Sequence, residues 1–281
     1  MSAIPPRSES QTVLTPLKPK LRWYQFRLRT LMLGVFLASL AMSCFAVRMQ
    51  RARQQDAAAR ELGKFEGTFI YYDCEVENRL GFGLEEKNTP RGPVWLRGLL
   101  GDDFFNDVTR IDFGSPVVTD ENLMHLRAFP RLRHLLLDRT QVTDDGLRHL
   151  ESLTCLELLS LNHLKITDEG LVHLRSLTGV QYLNLGETRV AGPGLANLEK
   201  WTKLDSLSLY GTPIRDKELA RLEQFTALQH LELGNTQITD AGIKHLKTMH
   251  GLRSVSLWNT RVTNAGVQDL QAALPGCEIT R

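Results

Sequence analysis

Four histidines fall at one position of a 24-residue spacing: His125, His149 and His173 on consecutive steps, and His245 further along. Neutral imidazole is a common metal ligand, so an aligned row of rings poses the question of a metal site. No carboxylate or cysteine stands where it would complete a coordination shell, and a surface or packing role is the better reading. Thr-Asp pairs recur at the same spacing: Thr119-Asp120, Thr143-Asp144, Thr167-Asp168 and Thr239-Asp240. Their oxygens suit a hard cation such as calcium. Thr and Asp are also favoured helix N-caps, because they accept from backbone N–H groups that the first helical turn leaves unpaired. Capping accounts for all eight residues without an ion. Gly146, Gly170, Gly194, Gly242 and Gly266 follow at position 15, in the first turns of separate helices, so they form no phosphate loop. Cys44, Cys74, Cys155 and Cys277 show no CxxC spacing, which argues against zinc and for free thiols. There is no G-x-S-x-G, P-loop or H-E-x-x-H pattern. The sequence therefore offers no catalytic residue, no cofactor and no metal ligand, and the chain reads as a non-enzyme.

These residues are positioned by a repeat. From Val108 to Pro275 the chain repeats every 24 residues, seven times. Seven slots per repeat, at positions 1, 4, 6, 11, 16, 19 and 22, call for large apolar side chains; of the 49 slots only Ala273 departs. Self-similarity at a fixed period of this length is the signature of a solenoid. Positions 4 and 6 alternate with polar residues, the period of a half-buried strand. Positions 16, 19 and 22 share one face of a short helix. Each repeat is thus predicted to be strand, turn and capped helix. Seven parallel strands at roughly 4.8 Å give a sheet on the order of 30 Å long.

The pattern L-x-x-L-x-L-x-x-T-x-V/I-T-D-x-G-L-x-H-L-x-x-L resembles the leucine-rich repeat superfamily. It is most similar to the 24-residue ribonuclease-inhibitor-like and cysteine-containing types, in the form of bacterial membrane-anchored repeat proteins. The resemblance implies an α/β fold, a right-handed solenoid whose parallel sheet lines a concave face, and a role in protein–protein interaction. One departure is at position 9, where the superfamily's Asn or Cys is here Thr140, Thr188, Thr212, Thr236 and Thr260, with Pro116 and Leu164 as exceptions. The Thr hydroxyls are expected to bond neighbouring turns in place of an Asn ladder.

Net charge is +2 and unevenly placed. Residues 1–64 carry 11 Lys and Arg against 3 acids; the remainder carries 23 against 29 and is mildly acidic, which argues against nucleic acid as a partner. Thr30–Val47 holds 18 residues without a charge, enough for a short transmembrane helix serving as a signal anchor. Arg27 and Arg29 precede it, Arg48, Arg51 and Arg53 follow, and Trp23, Tyr24 and Phe26 suit an interfacial belt. A signal peptide cleaved near Ala41-Met42-Ser43 and a lipoprotein site at Cys44 are weaker alternatives. Flanking basic charges tie, so orientation is open; the expectation is a repeat domain on the non-cytoplasmic side. Gly34, Ala38, Ser39 and Ser43 have the small-residue spacing that allows weak self-association of such helices, though ordinary apolar filler is the better reading.

The expected organisation is a disordered basic tail over 1–29, the anchor over 30–47, a helical stalk over 48–64, a flank and N-terminal cap over 65–107, the repeats over 108–275 and a C-terminal cap over 276–281. Within the flank, 65–77 is strand-like, 78–93 loop-like, and the amphipathic 94–105 is expected to cover the first core edge. Function is expected where repeats disagree, at positions 3, 5, 7 and 8 of the sheet face. Tyr182, Tyr210 and Trp258 stand out as candidate anchors for an unidentified protein or other macromolecule, with His230, Glu232, Asn184, Asn235 and Asn259 around them. A structural envelope protein associating laterally is the alternative, and an uncharacterised enzyme a distant third.

Overall fold

The structure is a computed structural model that describes residues 23–72, 76–77, 84–85, 92–101 and 104–281. It divides into two compact units, residues 1–47 and 48–281. In the first unit the described residues are helical, within α1 (Trp23–Leu62). The tail expected to be disordered lies outside the described residues as far as 22, whereas 23–29 are already helix. Among the described residues α1 is one helix long and apolar enough to cross a membrane, and its most apolar window buries nothing inside the protein. Ser39 Oγ donates to Phe36 O at 3.1 Å and Ser43 Oγ to Ser39 O at 2.8 Å. Both hydroxyls are thus satisfied within their own helix, the arrangement an apolar solvent demands.

The second unit is a leucine-rich repeat solenoid. β1 (Thr68–Tyr72) begins a nine-stranded sheet, running antiparallel to β4 (Val108–Phe113). Val76–Glu77 (β2) and Leu84–Glu85 (β3) pair with each other in a separate hairpin. From β4 the sheet is parallel through β5 (His134–Leu136), β6 (Leu158–Ser160), β7 (Tyr182–Asn184), β8 (Ser206–Ser208), β9 (His230–Glu232), β10 (Ser254–Ser256) and β11 (Glu278–Thr280). Register steps by the sequence period: Arg110 pairs with His134, His134 with Leu158, and so on to Ser254 with Glu278. β11 therefore adds a parallel strand beyond the seven repeats. Position 4 points inward in every repeat, from Ile111 to Val255, each almost wholly buried.

On the opposite side the expected helices are mostly 3-10: Asp120–Ala128, Arg148–Leu150, Gly170–Leu174, Pro193–Leu198 and Asp216–Gln224. Only α3 (Asp144–Leu147), α4 (Asp240–Leu246) and α5 (Asn264–Ala273) are α-helical. The spacing explains this. Slots exactly three apart stay on one face only at 3.0 residues per turn, the 3-10 period. Between strand and helix, position 8 takes a left-handed backbone: φ is 59° at Arg139, 58° at His163, 54° at Glu187, 66° at Gly211, 56° at Asn235 and 54° at Asn259. The position-9 threonines do not bond neighbouring turns as expected. Each hydroxyl donates to the carbonyl three residues back in its own repeat, Thr140 to Leu137 O at 2.8 Å and Thr236 to Leu233 O at 2.6 Å.

The N-terminal cap also departs from expectation. α2 (Val94–Leu100) has no buried residue. Residues 48–62 of α1, expected as a helical stalk, pack on the first core edge together with Phe65, Ile70 and Tyr72 of the flank. Ala52, Gln55, Ala58 and Leu62 are buried along one helical face, and Ala58 and Leu62 join the main core. Gln55 donates to Asp107 Oδ1 at 3.4 Å, and Arg131 and Arg48 face Asp107 Oδ2 at 2.7 Å and 3.7 Å. The small Ala side chains let this helix lie close, and their low apolar content hides the face from a hydrophobicity reading.

Candidate functional site

The sheet's exposed face carries positions 3 and 5 of each strand, and positions 7 and 8 border it. Tyr210 and Trp258 both occupy position 7, two repeats apart. Their rings stack with centroids 6.4 Å apart and planes 12° from parallel. The intervening position 7 is Gly234, where a Cβ would lie 3.0 Å from the Tyr210 ring; the missing side chain is what lets Tyr210 lean towards Trp258. Tyr210 is half-buried and Trp258 is 56% exposed.

The other candidates fall into two groups. Tyr182 is half-buried on β7; burial pushes its hydroxyl above the usual range, and the charges of Glu232 and Asp138 add to the shift. Glu232 accepts from Ser208 Oγ at 2.7 Å, and His230 is exposed beside it on β9. These three share the face with the stacked pair. The asparagines are committed to the backbone turn. Asn184 Oδ1 accepts from Gly186 N at 2.9 Å. Asn259 Nδ2 donates to Asn235 Oδ1 at 2.9 Å, and both residues hold the left-handed conformation that Asn tolerates better than most.

Sequence reading missed a second aromatic group at the other end of the face. Phe69 and Tyr71 on β1 stack at 6.5 Å, and the Arg110 guanidinium lies 5.4 Å from the Tyr71 centroid. Arg110 is paired with Asp112 at 2.8 Å. Alternation along Thr68–Tyr72 was the available signal: β1 places Phe69 and Tyr71 opposite Asp112 and Arg110, while Ile70 packs against the core.

The Thr-Asp residues expected as helix caps have a different principal role. Asp120 Oδ1 accepts from Thr143 N at 2.8 Å and Oδ2 from Thr143 Oγ1 at 2.6 Å, across a repeat boundary. Asp144 holds Thr167 in the same way, Asp216 holds Thr239, and Asp240 holds Thr263. Asp168 accepts instead from the backbone of Ala191, Gly192 and Gly194. These carboxylates form a ladder along the solenoid. Capping belongs to some threonines only: Thr119 forms a capping box with Asn122 and Ala241 N donates to Thr239 Oγ1, whereas Thr143 accepts no cap bond and Thr167, which accepts from Glu169 N, stands before a helix whose cap position is Glu169.

The ladder explains the glycines. A Cβ on Gly146, Gly170, Gly242 or Gly266 would strike the carboxylate of the preceding repeat's Asp, and one on Gly194 would lie 2.5 Å from Asp168 O. Two repeats carry no Asp at position 13: the last has Asn264 with no repeat after it, and the fourth supports the coupling. Gly192 stands at position 13 there, and the next repeat carries Glu218 in place of the glycine, its Cγ 2.6 Å from where a Gly192 Cβ would be. Asp240, bonded by the Thr263 hydroxyl and backbone N–H, is held below its usual carboxylate range.

The histidines do not converge. His173 Nδ1 lies 2.7 Å from Glu151 Oε1 and His245 Nδ1 3.4 Å from Glu223 Oε1, each an isolated pair. Burial, with Arg127 and Arg148 nearby, lowers the pKa of His149. Among the described residues no three His, Cys, Asp or Glu side chains group to hold a metal ion. Cys44 and Cys155 are exposed free thiols; Cys277 is buried, and its pKa is raised by burial and then by the Glu278 charge. Cys74 lies outside the described residues.

No protein-family model matches this chain, and no curated protein matches it. Among solved structures it is similar to internalin C2 from Listeria monocytogenes, at 23% identity and a TM-score of 0.49, over 61% of this chain and 70% of that one. A leucine-rich repeat protein from Leptospira interrogans is similar at 19% identity and a TM-score of 0.46, over 62% and 48% of the two chains. A second Listeria monocytogenes internalin is similar at 22% identity and a TM-score of 0.41, over 66% of each chain. The chain thus spans less than two thirds of the length of the latter two. The likeness is one of repeat architecture.

Proposed function

We propose that this chain is a single-pass membrane protein whose leucine-rich repeats bind a protein partner on the exposed face of the sheet. Residues 30–47 are the anchor, and the repeat body lies on the non-cytoplasmic side. Binding is by surface complementarity, without covalent chemistry, cofactor or nucleic acid. The observation that carries the reading is the Tyr210–Trp258 pair. Two large rings are held parallel over a glycine, beside strands that carry Ser206, Ser208, Ser254 and Ser256 with His230 and Glu232 between them. Rigid, half-exposed aromatics lose little entropy on association and are enriched among interface anchors. Tyr182, Glu232 and His230 extend the same face towards the centre of the sheet.

Proximity labelling with the full-length chain tests this, run beside the double variant Tyr210→Ala/Trp258→Ala. Partners of the native chain should be lost from the variant, since truncating interface anchors weakens binding by about thirty-fold or more each. An unchanged partner set with the variant still folded would remove the sheet-face site. Protease shaving of intact cells tests the side: loss of the repeat domain supports the non-cytoplasmic placement, and full protection reverses it.

A further inference from the structure

We propose that the protein segment seated on the Tyr210–Trp258 pair is basic, and that it lays arginine side chains across the rings and against Glu187 and Glu232. The inference rests on the sheet face being the binding site and names the chemistry of its partner. On positions 3, 5, 7 and 8 from Tyr182 to Asn259, and on β11 beyond them, the charged residues are Glu187, Glu232 and Glu278. There is no lysine or arginine among them, and His230 is their only histidine. The other end of the face is mixed, with Arg110 and Arg139 against Asp112 and Asp138. The half around the aromatic pair is therefore acidic as well as aromatic.

The carboxylates stand close to the rings. Glu187 N donates to Tyr210 O at 2.7 Å, and the Glu187 carboxyl carbon lies 2.6 Å from where a Gly211 Cβ would be. Gly211 directly follows Tyr210, so its missing side chain leaves the space this carboxylate fills. Glu232 stands two residues before Gly234, the glycine between the rings, and is within roughly 7 Å of it along the chain. Glu187 is half-buried and Glu232 exposed. Ser208 Oγ donates to Glu232 Oε2, but among the described residues neither glutamate has an ion pair.

What sits on the rings follows from these charges. A partner that covers Tyr210 and Trp258 also takes water from Glu187 and Glu232, and a desolvated carboxylate is costly without a countercharge. An apolar or acidic segment leaves both uncompensated. A basic segment removes that cost, and a cation over an aromatic face is attracted by the ring quadrupole as well. Arginine meets both demands with one group, because its guanidinium plane stacks on a ring while its edge donates to a carboxylate. The molecule uses the same combination at the other end of the face, where Arg110 lies 5.4 Å from the Tyr71 centroid and bonds Asp112.

The test records the indole N–H signals of the full-length chain by NMR in zwitterionic detergent. Trp258→Phe identifies the Trp258 signal, and Trp201, fully buried in the repeat core, is the internal control for folding. The probe is a short capped peptide of arginine, glycine and serine. It should shift the Trp258 signal and leave Trp201 in place. The same peptide with citrulline for arginine, alike in shape but neutral, should shift neither. Glu187→Gln/Glu232→Gln removes the charge and keeps the side-chain size, and should weaken peptide binding about ten-fold, the combined effect of two partly exposed ion pairs. An equal shift by the citrulline peptide, or binding unchanged in the double glutamine variant, would overturn the inference. Proximity labelling separates it from the reading beneath it. If Tyr210→Ala/Trp258→Ala loses the partners while the glutamine variant keeps them, the sheet-face site stands and this inference falls. If the aromatic variant keeps every partner, the sheet-face reading falls and takes this inference with it.

Discussion

Gly170→Ala isolates the carboxylate ladder, because two effects predict opposite signs. Gly170 opens a helical turn, with no left-handed φ to defend. By propensity alone, Ala in place of Gly in a helix stabilises by about 1 kcal/mol. The structure predicts the reverse. The added methyl would occupy the space of the Asp144 carboxylate, whose oxygens accept from Thr167 N at 2.8 Å and Thr167 Oγ1 at 2.7 Å. Expelling that carboxylate loses two hydrogen bonds to a charged group, each contributing about 1.5–3 kcal/mol when well shielded. Asp144 is only half-buried, so the lower end applies, and about 2–3 kcal/mol of net destabilisation remains after the propensity gain. Asp144→Ala alone should cost a similar amount. In the Asp144→Ala background, Gly170→Ala meets no carboxylate and should be neutral or stabilising. The double-mutant cycle should thus give a coupling of about 2–3 kcal/mol favouring the pair of changes. Urea unfolding of the full-length chain in detergent, followed by circular dichroism at constant slope, measures all four corners. Stabilisation by Gly170→Ala in the native background would refute the reasoning.

Two further outcomes follow from the same geometry. Leu62→Ala should destabilise the repeat body by about 2–4 kcal/mol, because it opens a cavity over the first core edge, whereas Leu99→Ala should leave the urea midpoint in detergent unchanged; equal effects would restore α2 as the cap. Asp240 has a folded pKa below its ordinary value, so its contribution is full above the unfolded pKa of about 3.9 and is lost as pH falls through the lower folded value. Hydrogen exchange at Thr263 N–H should accelerate relative to its intrinsic rate across that acid window, and Asp240→Asn should flatten the dependence; protection insensitive to acid would count against the ladder at that junction.

The strands, their 24-residue register and the buried slots were legible in the sequence, because each repeat states the same pattern and errors average out. The Thr-Asp-x-Gly segment was legible as a motif but not as a contact. Reading within one repeat places Asp144 next to its own helix start, and capping is then a sufficient explanation. Only stacking the repeats brings Asp144 beside Thr167 and Gly170, although the Gly192–Glu218 exchange was a trace of it in the chain. The cap was misplaced because apolar content favours Val94, Trp95 and Leu99 over Ala52, Gln55 and Ala58, and burial depends on close approach as well as on hydrophobicity.

The site followed the same division. Tyr182, Tyr210 and Trp258 were identifiable as large aromatics at positions facing away from the core, and strand alternation is a local property. That Tyr210 and Trp258 meet was decided by tertiary structure, since it depends on Gly234 leaving room between strands. Asn235 and Asn259 stay exposed, but their left-handed backbone at the strand's end is set by the coil of the solenoid. The sequence by itself determined the repeating unit, because period, alternation and slot size act within 24 residues. Tertiary structure alone decided which side chains of different repeats touch, because those contacts exist only once neighbouring coils have stacked.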